Sequence, residues 1–86
     1  LCPMIRFTRH AERKFVVLAR HGFRVTRDLV VQIVEEPELI DTKRLPLLIA
    51  QGQLDSRHVL RVVYREENDD QVIITFYPGR RSQYEN

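Results

Sequence analysis

The stretch His58–Pro78, HVLRVVYREENDDQVIITFYP, decides the fold class of this 86-residue chain. Two runs rich in β-branched and aromatic residues, His58–Glu66 and Val72–Pro78, flank the polar tetrapeptide Glu67-Asn68-Asp69-Asp70. That pattern predicts two antiparallel strands joined as a hairpin. Successive strand side chains point to opposite faces. Leu60, Val62 and Tyr64 therefore share one side of the first strand, and Val59, Arg61, Val63 and Arg65 the other. On the second strand Val72, Ile74 and Phe76 separate from Ile73, Thr75 and Tyr77. The Leu60/Val62 and Ile74/Phe76 side is expected to be covered, which leaves Arg61, Thr75 and Tyr77 on an open face.

Working outward, Leu39–Lys43 reads as a weak strand and Leu47–Leu54 as another, opened by Pro46 and weakened by Gly52. Ile5–Phe7 reads as a short first strand. Thr8 caps a helix over Arg9–Arg20 that Gly22 ends, and Thr26 caps a second over Arg27–Glu36 that Pro37 stops. On the first helix Ala11, Phe15, Leu18 and Ala19 share an arc of roughly 100°, the expected buried face. Arg9, Arg13 and Arg20 fall within about 40° of one another on the opposite side. Leu29, Val30, Ile33 and Val34 form the apolar stripe of the second helix. Glu35 and Glu36 stand at its C-terminus, where the macrodipole disfavours negative charge, so they pair with arginines of the first helix or are solvated. The class is α+β, with two N-terminal helices packed on one face of a sheet.

Fourteen Lys+Arg against twelve Asp+Glu give a formal charge of +2, with 43% apolar and 30% charged residues. The length holds one domain, residues 1–86, and leaves no room for two. A lone Cys2 makes neither an internal disulfide nor a cysteine zinc cluster, so a reducing, cytoplasmic location is expected. The longest apolar run, Leu45–Ala50, is far below the ~20 residues that span a bilayer, and no membrane partner is expected. Met4 is read as the natural start, with residues 1–3 a leader from upstream. The charge is segregated: residues 1–27 carry +6, 28–41 carry −5, 42–65 carry +4, 66–70 carry −4 and 71–86 carry +1. Twelve of the fourteen basic residues are Arg, the side chain that grips phosphate and carboxylate bidentately and stacks on bases. Such a chain carries either surface ion pairs or a polyanion site. Arg9, Arg13, Arg20, Arg65 and Arg80 are the candidates for holding a nucleic-acid backbone.

No Gly-rich phosphate loop, GxSxG or HExxH motif is present, and the three His are too scattered for a metal site; no metal or cofactor is expected. The constellation that carries chemistry is Arg61, Tyr77, Arg80, Arg81 and Tyr84, with His10 or His58 nearby. Arg stabilises charge on a phosphate in flight, while Tyr and His move protons. Together they suit metal-free RNA cleavage, in which the 2′-hydroxyl attacks the adjacent phosphate. The competing readings are a half-buried sheet aromatic at Tyr77, a solvated tail at Arg80 and Arg81, a polar loop contact at His10, and a strand-end packing residue at His58.

Three pieces of the chain resemble the family called domain of unknown function 4258, related to the RelE-like toxin superfamily. They are the opening FTRHAERK at Phe7–Lys14, VQIVEEP at Val31–Pro37, and RHVLRVVYREENDDQVIITFYPGRRSQYE at Arg57–Glu85. The resemblance implies two helices on a twisted antiparallel sheet and a toxin of a toxin–antitoxin pair that cuts mRNA, free or on the ribosome. It also implies Arg61, Tyr77, Arg81 and Tyr84 as the catalytic group, with His10 and Arg13 from the narrower family's opening motif. A small antitoxin protein is the implied partner. The chain departs from ribosome-directed members in its small net charge and scarcity of Lys. Two other functions fit the same residues: a non-catalytic module binding nucleic acid or protein, and a toxin inhibiting a protein target. The oligomeric state is not legible.

Overall fold

The computed structural model describes residues 4–84, without the side chains of Gln83 and Tyr84. The leader read at residues 1–3 lies outside the described residues. In chain order the elements are β1 (Ile5–Phe7), α1 (Arg9–Arg20), α2 (Arg27–Glu35), β2 (Leu39–Asp41), β3 (Leu48–Gln53), β4 (His58–Glu67), β5 (Asp70–Arg80) and α3 (Arg81–Tyr84). The sheet order is β1-β5-β4-β3-β2. Strands β2 to β5 run antiparallel to their neighbours, and β1 pairs parallel to β5, so the sheet is mixed rather than wholly antiparallel. The parallel pair is possible because α1, α2 and three strands intervene between β1 and β5. The protein is an α+β fold, with α1 and α2 packed on one sheet face.

Local chemistry accounts for the boundaries. Thr8 Oγ1 accepts the Ala11 N–H at 3.2 Å and Thr26 Oγ1 accepts the Leu29 N–H at 3.1 Å, which starts both helices where the capping residues predict. Gly22, at φ 86°, follows α1 in the left-handed region. The hairpin turn is tighter than the predicted tetrapeptide: only Asn68 and Asp69 lie between the strands, at φ 51° and 70°. Two consecutive left-handed residues match the twist of the flanking strands, and Asn and Asp tolerate that region better than most side chains.

The core gathers Ala11, Leu18, Val25, Val30, Ile33, Val34, Ala50, Leu60, Val62, Tyr64, Ile73 and Phe76. Phe15 bridges it to β1, its ring 4.8 Å from Phe76 and 5.8 Å from Phe7. Two expectations are corrected. Ala19, placed on the buried arc of α1, is exposed, and of the last turn only Leu18 is buried. Ile73, not Ile74, joins the core on β5. Val63 pairs with Thr75 but Tyr64 pairs with Ile73, so Ile74 is the extra residue of a bulge and the strand's alternation reverses there.

Gly52 weakens β3 for a reason visible only in three dimensions. A Cβ at Gly52 would stand 2.6 Å from Ile33 Cγ1 and 3.1 Å from Ile33 Cδ1, so the glycine lets α2 settle on the sheet. Gly52→Ala should therefore destabilise the fold by about 1–3 kcal/mol through overpacking. Asp69→Gly, which relieves a left-handed Asp, should stabilise it by about 1 kcal/mol. Urea unfolding of both variants checks the pair of signs.

Candidate nucleic-acid interface

Arg61 stands mid-β4 on the sheet face away from α1 and α2, opposite Gln51 of β3 and Tyr77 of β5. Arg61 is only 6% exposed. Nε donates to the Tyr77 hydroxyl at 3.1 Å, Nη1 to Gln51 Oε1 at 2.7 Å and Nη2 to Asp41 Oδ2 at 3.1 Å. Gln51 is itself buried. Asp41 reaches in from β2, and its Oδ1 accepts the Lys43 backbone N–H at 2.9 Å. That N–H first, and Arg61 second, hold the Asp41 carboxyl below its ordinary 3.8, against the opposing effect of burial. The expected Arg61–Tyr77 pairing thus exists, but the guanidinium is engaged by side chains of three other strands, β2, β3 and β5. Asp41 and Gln51 escaped the sequence reading because they belong to strands whose register a single chain does not display.

A second cluster forms at the far end of the hairpin. His58 opens β4 opposite Arg80, and the Arg81 N–H donates to the Arg57 carbonyl at 2.8 Å. This pairing gathers Ser56, Arg57, Arg80, Arg81 and Ser82 around a surface cleft of about 500 Å³. The loop that carries Ser56 and Arg57 is fastened by Asp55. Its Oδ1 accepts the backbone N–H groups of Arg57 and His58, each at 2.8 Å, and contacts His58 Nδ1 at 2.9 Å. The Arg57 N–H, followed by the His58 side chain, lowers the Asp55 carboxyl from its ordinary 3.8. The His58 ring then stands edge-on to Phe23, centroids 5.0 Å apart at 82°. His58 is in this way a strand-end packing residue. The sequence signal for the turn was Asp55-Ser56-Arg57-His58, an Asp able to accept from the backbone two and three residues on.

The remaining candidates disperse. His10, Arg9, Arg13 and Arg20 lie exposed on α1, across the sheet from Arg61, so His10 is not brought to the open-face group. Arg65 donates to Glu67 Oε2 at 3.2 Å near the hairpin turn, and Arg6 pairs with Asp70 at 3.5 Å. Arg27 pairs with Glu12 and stacks its guanidinium 4.5 Å from the Phe7 centroid. Tyr84 ends α3, and its side chain lies outside what the structure describes. Among the described residues no three His, Cys, Asp or Glu side chains gather where they could hold a metal ion, and no helix is long and apolar enough to cross a membrane. No family model, curated protein or solved structure matches the chain.

The two lowered carboxyls carry a pH dependence of definite sign. A group whose pKa is lower folded than unfolded adds stability that is complete well above 3.8 and is lost as the pH falls through 3.8 toward the folded value. Asp41→Asn and Asp55→Asn should each flatten the acid limb of a stability–pH curve measured by urea unfolding. Arg61→Ala should cost about 2 kcal/mol or more at neutral pH, the scale of lost hydrogen bonds to a charged group.

Proposed function

We propose that this domain is a RelE-like toxin of a toxin–antitoxin pair that binds single-stranded RNA through the Arg57/Arg80/Arg81 cleft and cleaves it without a metal ion. The observation that carries the reading is the convergence of three arginines and two serines from separate chain segments on one open cleft. A guanidinium only donates and a serine hydroxyl can donate, and a phosphodiester offers the matching acceptors. The α+β arrangement agrees with what the family resemblance implies.

Tyr77 lies three residues before Arg80 on β5, about 10 Å along the strand. Alternation and its pairing with Arg61 put Tyr77 on the sheet face opposite to the Arg80 side chain, so RNA seated in the cleft reaches it by running on around the end of β5. The Tyr77 oxygen accepts from Arg61 Nε, which leaves its own proton to be donated outward. In the proposed reaction the 2′-oxygen bonds to the adjacent phosphorus, the bond to the 5′-oxygen breaks, and a cyclic phosphate and a 5′-hydroxyl result. Solvent water takes the 2′-hydroxyl proton, Tyr77 gives its proton to the leaving 5′-oxygen and regains one from water, and the cleft arginines hold the phosphate's charge. Arg61 acts here as a positioning residue for Tyr77. The exposed arginines of α1 are the surface for an acidic, partly helical antitoxin segment that folds on binding. A non-catalytic RNA-binding module is the second reading, favoured by the engagement of Arg61 with Asp41, Gln51 and Tyr77.

Binding to single-stranded RNA through three arginines should give a slope of log K against log salt near −2. Arg57→Ala or Arg80→Ala should weaken binding and reduce that slope by about 0.7. With a chelator present, the parental protein should still cut RNA, and Tyr77→Phe should lower the single-turnover rate without changing affinity. Salt-dependent binding with no cleavage selects the non-catalytic module, and a salt-independent response removes the cleft from the interface.

A further inference from the structure

β2 is an edge strand, and its outer side carries an unusual combination of residues. Leu39 and Ile40 are 49% and 42% exposed, which leaves a short apolar edge with unpaired backbone groups. The other edge, β1, is blunted by charge, since Arg6 meets Glu67 and Asp70 beside it. Around β2 the charges are asymmetric: Glu35, Glu36 and Glu38 precede the strand, and Lys43 and Arg44 follow it. None of these five side chains makes an ion pair among the described residues. Glu35 and Glu36 in particular do not pair with the arginines of α1, and their position at the C-terminus of α2 is electrostatically unfavourable within one molecule.

We propose that β2 is a homodimer interface, in which two copies pair their β2 edges antiparallel about a two-fold axis at Ile40. A two-fold perpendicular to the sheet keeps each residue on its own face, so the register must place a residue opposite itself. Centring on Asp41 would set two carboxylates against each other. Centring on Ile40 sets an apolar side chain against its copy. It also brings the Glu36–Glu38 segment of one molecule beside the Thr42–Arg44 segment of the other, twice. The acids that lack an intramolecular partner then find an intermolecular one, and the two sheets become one sheet of ten strands. The paired segment is short, so the interface is small, below about 1,200 Å², and the dimer is weak.

Sedimentation equilibrium of the full chain over a concentration series tests this, with salt as a second variable. A concentration-dependent dimer that weakens as salt rises is expected. Glu36→Arg and Arg44→Glu each weaken it about tenfold or more, and the double variant restores it, because the exchanged charges again face each other across the axis. In a Cys2→Ser background, Ile40→Cys should form an intermolecular disulfide on oxidation, since paired strands place opposite Cα atoms about 4.5–5.5 Å apart. A monomer at every concentration overturns the proposal and leaves the edge to an extended segment of another protein. A dimer indifferent to the charge variants, or one in which Ile40→Cys does not cross-link, overturns it equally. None of these residues lines the arginine cleft, so the outcome is separable from RNA binding.

Discussion

A charged guanidinium set into the middle of a sheet is the constraint on which the rest of this fold depends. Arg61 occupies a central strand, and burying it without partners would cost several kcal/mol. Its hydrogen bonds run to β2, β3 and β5, so the single side chain ties four of the five strands together. The constraint also discriminates against misregister. A one-residue slip of β4 would turn Arg61 toward Ala11, Val30 and Phe76 in the core and leave Asp41, Gln51 and Tyr77 without their donor. The polar network on one face and the apolar cluster on the other therefore select the same register, and neither is satisfied by any neighbouring one.

That coupling explains which parts of the fold could be read from the sequence. The capping threonines Thr8 and Thr26 and the apolar spacing of α1 and α2 are local signals, and both helices begin at the predicted residues. The hairpin is local too, and the open-face pairing of Arg61 with Tyr77 follows from alternation. Where a contact depends on two distant segments the reading stops. The bulge at Ile74 falls just past the stretch of β5 that pairs with β1, and strict alternation carries no sign of it. Gly52 appeared as a weakness of β3 until the approach of Ile33 gave it a purpose. Arg57 carries no signal of its own, because its significance is conferred by Arg80 and Arg81, which register alone brings beside it.

The segregation of charge along the chain becomes a division of surfaces. The basic N-terminal block lies largely on the outer side of α1. The acidic block of residues 28–41 runs from α2 to the β2 edge. Between them Asp41 is drawn inward to serve Arg61, so one acid of that block is structural while Glu35, Glu36 and Glu38 face solvent.

The same sorting applies to the arginines, and it narrows what their abundance means. Among the described residues Arg6, Arg27, Arg61 and Arg65 are held by Asp or Glu. A pair of this kind spends its charge inside the molecule, and in exposed positions such pairs contribute little stability. A count of twelve arginines therefore overstates the polyanion surface. What remains divides by support. The α1 arginines project from a single helix face, whereas Arg57 and Arg80 are set by a loop pinned through Asp55 and by the end of the longest strand. The Arg57 and Arg80 side chains are as exposed as those of α1 and pay the same rotamer entropy to grip a phosphate, but they converge on one cleft from two segments. The cleft is accordingly suited to hold one phosphate in a defined place, and the helix face to attract a charged partner without fixing its geometry.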